Sequence, residues 1–132
     1  MYIKRGIEEV KQITIDDPLG GAGRVHGRQL LGEDEALIGI LPGYPDDFDS
    51  GIHFIHETIM EPGSRTGIHP HEKSEEVYVF IEGAGRMIID GEIVEVKAGD
   101  AVLTKKGSTH NLENTGGERM RLIVIEGGVE EE

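Results

Sequence analysis

Apolar and polar residues alternate along this chain in short runs of period two, broken by turn residues roughly every ten positions. From Gly51 to Met60 one set is Phe54, His56, Thr58 and Met60, and the other is His53, Ile55, Glu57 and Ile59. Successive side chains of a strand point to opposite faces. The first set reads as the inner face, because a charged Glu57 belongs outside. Arg24 to Leu31, Val77 to Ile81, Arg86 to Ile89, Glu92 to Val96, Ala101 to Thr104 and Arg119 to Glu126 read as further strands, and His110-Asn111-Leu112 begins another. Asp90-Gly91 is a two-residue hairpin turn. Residues 1 to 15 form a loose arm in which Ile13 and Ile15 alternate as in a short strand. No segment carries a convincing helical period. Short strands joined by Gly-rich turns predict an all-β sandwich or barrel, and no long internal repeat suggests a solenoid.

The loops carry weak signals. Asp16 to Gly23 has three glycines but lacks the Gly-Lys-Ser/Thr ending of a phosphate-binding loop. Asp46, Asp47 and Asp49 lack the spacing of a calcium-binding loop. The irregular stretch from Glu33 to Ser50, with Tyr44 and Phe48, is a solvated loop placed as a flap near a pocket. A length of 132 residues fits one domain: an arm at 1–23, a barrel at 24–126 and an acidic tail at 127–132. Twenty-six acidic residues against 13 basic ones give a net charge of −13. That balance argues against nucleic acid and against anionic membranes as partners. The absence of cysteine removes disulfides, thiolate metal sites and cysteine nucleophiles. With no apolar segment following Met1–Arg5 and none long enough to span a bilayer, the expected location is the cytoplasm.

Candidate chemistry is concentrated between Gly63 and Asn114. His69 and His71 are two apart, so an extended backbone aims both imidazoles the same way. Glu76 follows five residues later and His110 lies in a second segment. Three imidazoles and a carboxylate suit a divalent transition ion, whether Mn, Fe, Ni, Cu or Zn, and suit Ca or Mg poorly. If Glu76 faces inward, so do Tyr78 and Phe80, while Glu75 faces away. His26, His53 and His56 read as packed or surface residues. His56 is the one placed for a substrate contact if its face is inward.

These segments resemble the two motifs of the cupin family. Gly63, His69, His71, Glu76 and Gly83 fit G(X)5HXH(X)3,4E(X)6G. Gly99, Gly107, His110 and Asn114 fit G(X)5PXG(X)2H(X)3N, with Lys105 in place of the proline. The resemblance implies a double-stranded β-helix, the cupin jelly-roll barrel, with His69, His71, Glu76 and His110 as metal ligands. It implies a homodimer, whose N-terminal arm is placed to extend a neighbour's sheet. Among the family's activities are dioxygenases, oxalate-type decarboxylases, isomerases and cyclases, and it also includes binding modules. The expectation drawn is a small metalloenzyme of dioxygenase or lyase type acting on a small oxygenated organic molecule. Tyr78 would donate a hydrogen bond, Phe80 and Met87 would line the pocket, and no separate acid/base carboxylate stands out. The alternatives are a metal-containing binding or sensing module without turnover, and a sugar isomerase-like cupin.

Overall fold

A computed structural model describes residues 1–37 and 39–128, so the expected acidic tail lies outside the described residues from position 129 onward. Among the described residues ten strands make two antiparallel sheets. They are β1 (Gln12–Asp16), β2 (Arg24–Gly32), β3 (Ile52–Met60), β4 (His69–Pro70), β5 (Glu75–Glu82), β6 (Ala84–Ile89), β7 (Glu92–Lys97), β8 (Ala101–Thr104), β9 (Thr109–His110) and β10 (Met120–Gly127). The larger sheet runs β1-β2-β3-β10-β5-β8 and the smaller β4-β9-β6-β7. Their inner faces enclose Phe54, Met60, Phe80, Met87, Leu112 and Leu122, each at most 2% exposed. This is the jelly-roll arrangement that the motif resemblance implies, built from the kind of strands that the alternation predicts.

Turn chemistry sets the strand registers. Asp90 and Gly91 both take positive φ, 49° and 82°, which matches the twist of a two-residue hairpin between β6 and β7. The motif glycines Gly63, Gly83, Gly99 and Gly107 all take φ between 79° and 95°, a region closed to most side chains. Lys105 is exposed, and its carbonyl accepts the Ser108 amide at 3.1 Å, so the turn closes without the family's proline. Buried Asn114 donates to the carbonyls of Met60 and Glu118 and accepts from the Gly116 amide, tying the last turn to β3.

Four expectations need correction. Glu57 is on the outer face of β3 as its parity requires, yet it is only 2% exposed. Arg28 of β2 and Arg121 of β10 fold over it and pair with its two oxygens. Their aliphatic stems cover the carboxylate while their charged ends satisfy it. The N-terminal arm extends this chain's own sheet, with β1 pairing to β2 from Gln12↔Arg28 to Asp16↔Arg24. The strand begun at Thr109 stops at His110, because the Asn111 side chain takes the Ile88 amide at 2.8 Å in place of a ladder bond. Phe80 and Met87, expected in the pocket wall, are sealed in the core.

Glu57→Gln keeps the shape and removes the charge between two arginines. It should cost about 2 kcal/mol, the range of hydrogen bonds to charged groups. Urea unfolding checks this, and a loss below about 0.5 kcal/mol would reduce the trio to an ordinary surface pair.

Candidate metal centre

The short strands β4 and β9 pair His69 with His110. The residue His71 follows β4 directly, and Glu76 enters from β5 of the other sheet. One potential donor atom from each of these four residues lies within 4.8 Å of every other. His110 Nε2 is 2.9 Å from His71 Nε2, 3.1 Å from His69 Nε2 and 3.2 Å from Glu76 Oε1. His71 Nε2 is 3.4 Å from Glu76 Oε1. Donors bound at right angles about 2.1 Å from one ion stand roughly 3 Å apart, so the spacing suits a first-row metal.

The opposite ring nitrogens explain why these atoms face inward. His69 Nδ1 donates to the Gly67 carbonyl at 2.8 Å, which leaves Nε2 with a bare lone pair. His71 Nδ1 faces Glu126 Oε1 at 3.7 Å. His110 Nδ1 bonds Thr104 Oγ1 at 2.7 Å. An acceptor-only carbonyl and a carboxylate therefore direct two of the rings, and a buried hydroxyl directs the third. Metal-site histidines are commonly oriented by such partners. Converging lone pairs repel one another unless a cation or a proton lies between them, so the donor set fits a metal.

Electrostatics follow the burial. Desolvation lowers the pKa of His69, with the Gly67 bond opposing it. The Glu126 hydrogen bond raises that of His71 against its burial. Burial pushes Glu126 up, but bonds from His71, His53 and Ser74 outweigh it and hold the carboxyl below its ordinary range. Burial keeps the Tyr78 phenol protonated, its pKa well above the usual value. The phenolic oxygen lies 3.4 Å from His110 Nε2.

A cavity of about 610 Å³ opens beside the four residues. His56 lines it, as the inward face of β3 requires, and stacks on Phe54 with ring centroids 4.7 Å apart. Burial brings the His56 pKa down to about 4, so this ring is neutral at pH 7. His26 bonds Thr14 and Glu61, and His53 bonds Glu126, so neither joins the cluster. Asp34, Ala36, Leu37, Ile40 and Leu41 form the flap. Tyr44, expected there, lies instead under the Arg5 guanidinium, 3.6 Å from its ring centroid.

Three residues escaped the sequence reading. Thr104 and Glu126 sit opposite Glu76 in the ladders β8–β5 and β10–β5. Inward parity continued along Leu122 and Val124 would have reached Glu126, a carboxylate on an apolar face. Asp34 is a cavity-lining carboxyl that nothing in its loop sequence singles out. Burial raises its pKa to about 6 against a bond from the Ala36 amide, and Glu126 and Glu76 add to the rise.

A two-sheet barrel with three histidines and a glutamate meeting inside it defines a small β-barrel protein of metal-site type. The chain belongs to the cupin family: the profile described as Cupin domain matches residues 56–126. It is 36% identical over 66 residues to the oxalate-binding protein of Thermotoga maritima, covering 50% of this chain and 54% of that protein. It is 34% identical over 80 residues to an uncharacterized protein of Methanocaldococcus jannaschii, covering 61% of this chain and 64% of that protein. The match thus spans less than two thirds of either relative. Among solved structures, a predicted oxalate decarboxylase of Thermotoga maritima superposes with a TM-score of 0.78 at 28% identity, covering 96% of this chain and 99% of that one. The polyketide cyclase RemF of Streptomyces resistomycificus shares the fold at TM-score 0.68 and 19% identity, over 100% of this chain and 88% of that one.

Thr104→Val removes the oxygen that bonds His110 Nδ1 while preserving shape. It should weaken metal binding about 10- to 100-fold, the usual effect of losing such a partner. Competition with a chelator of known affinity measures the change, and an unchanged affinity would show that packing alone orients His110.

Proposed function

We propose that this protein is a metal-dependent enzyme of oxygenase or lyase type, holding one divalent first-row ion through His69, His71, Glu76 and His110. Its substrate is an oxygen-bearing organic molecule bound in the adjoining cavity. The observation that carries this reading is the convergence of three imidazole Nε2 atoms and one carboxylate oxygen, with each Nδ1 facing a separate partner. A bound Mn, Fe, Ni, Cu or Zn ion supplies Lewis acidity toward an oxygen ligand.

The chain's own residues supply the rest. The Tyr78 hydroxyl, kept neutral by burial and beside His110, is a fixed hydrogen-bond donor for charge developing on a substrate oxygen. Asp34, with a pKa of about 6, exchanges a proton near neutral pH and borders the same cavity. A ligand filling the cavity displaces its water, which strengthens every polar contact within. Similarity to a predicted oxalate decarboxylase supports turnover. A second reading, a metal-containing binding module without turnover, is favoured by the relative described as an oxalate-binding protein. The same family reading carries a homodimer as a proposal, and sedimentation showing a monomer at high concentration would remove it.

Elemental analysis of the purified protein, followed by oxygen-uptake and product screens on small acids and phenols, tests the assignment. His69→Ala and His71→Ala should each lower metal occupancy at least tenfold. Tyr78→Phe should retain the ion and lower kcat about 100-fold, as loss of a preorganised donor does. Tight ligand binding with no product under any condition would favour the binding module. A protein that takes up no ion would overturn both readings.

A further inference from the structure

The cavity is large for the four residues it serves. Its 610 Å³ falls in the range of pockets that hold drug-sized ligands. It would take roughly twenty waters at about 30 Å³ each. Its lining comes from both sheets and from the loop after β2. Ile15 of β1, Val25 of β2 and Leu122 and Val124 of β10 contribute from the larger sheet, and Leu37 and Leu41 from the flap. Leu19 and Ile40, 59% and 57% exposed, carry the apolar lining out to the rim.

The charge of the cavity is as one-sided as its shape. Among the described residues no lysine or arginine lines it, while Asp34, Glu72, Glu76 and Glu126 do. Four carboxyl-bearing side chains around one cavity oppose further negative charge beside the ion. A compact dianion would enter such a site against repulsion. It would also leave most of the apolar wall facing water, with no gain from burial.

Building on the metal site proposed above, we infer that the cavity selects a bulky, apolar-bodied ligand of low charge with adjacent oxygen donors, an aryl diol or an enol of comparable size, and rejects compact dianions of the oxalate type. The oxygen donors face the His69, His71, Glu76 and His110 cluster. The ring system lies along Ile15, Leu37 and Ile40, whose apolar surface it removes from water. The neutral rings of Tyr78 and His56 present hydrogen-bonding atoms without adding charge.

The test is calorimetric titration of the purified manganese-loaded protein with oxalate, catechol and a naphthalene diol with adjacent hydroxyls, after metal content has been measured. The naphthalene diol should bind at least tenfold tighter than catechol, whose smaller body leaves the upper wall uncovered, and at least tenfold tighter than oxalate. Leu37→Arg places a cation in the flap and should narrow or reverse the preference over oxalate. Ile40→Arg, at the exposed rim where folding is not at risk, should shift it in the same direction by a smaller factor. A loaded protein that binds oxalate as tightly as the naphthalene diol, or binds none of the three, overturns this inference while the metal reading stands. A protein that takes up no manganese, iron or zinc overturns both.

Discussion

Three imidazole lone pairs and a carboxylate, pointed at one another across about 3 Å, form an arrangement that a folded chain reaches only under constraint. In the absence of a cation or a proton these atoms repel, and local spacing brings together only His69 and His71. The barrel supplies the constraint by distributing the four residues over both sheets. His69 and His110 are cross-strand partners in one, and Glu76 lies in the ladder between β10 and β8 in the other. The sheets are held at a fixed separation by the packed core beneath, so the donors are placed by residues such as Phe80 and Met87 that never touch them. Deep burial of those two side chains removes them from the pocket wall but makes them the base on which the site stands.

Each donor's orientation is set separately from its position. A backbone carbonyl for His69, Glu126 for His71 and Thr104 for His110 face the far nitrogen of each ring. Because two of the three partners can only accept, they fix which nitrogen carries hydrogen. Glu126 does more than orient His71. It gathers Ser74, His53 and His71 and brings a second negative charge to the edge of the cavity. Orientation of the ring and acidity of the pocket thus come from the same carboxylate.

The fold was legible because strands of period two and glycine turns leave local marks. The alternation in 51–60 predicts the inward set Phe54, His56, Thr58 and Met60, and the Asp90-Gly91 turn fixes a hairpin register. The four clustered residues were legible for the same reason, since motif spacing and strand parity are both properties of adjacent sequence. Glu57 shows where such reasoning stops. Parity gives its face, but its burial depends on Arg28 and Arg121 from two other strands. Thr104, Glu126 and Asp34 are harder still, because each acquires its role through a neighbour distant in sequence. Asp34 lies in an irregular loop with no period to follow, and burial in the cavity, with Glu126 and Glu76 adding to it, raises its pKa to about 6.

The same division separates what is shared with relatives from what is particular to this chain. Cluster and barrel are constructed from the two motifs, which hold the metal-type donors whatever the reaction. The cavity is walled by β1, the flap and β10, segments that lie outside the two motifs. Selectivity therefore has to arise from side chains such as Leu37, Leu41, Val124 and Glu126. Carboxylates in the cavity, with no lysine or arginine among the described residues that line it, and the apolar wall act together. The first disfavours added negative charge, and the second favours a ligand large enough to displace the water. A small acid satisfies neither condition, and an uncharged ring bearing two neighbouring oxygens satisfies both. The likeness in fold to proteins described by oxalate is thus compatible with a different ligand, because fold and donor set leave the wall's composition open.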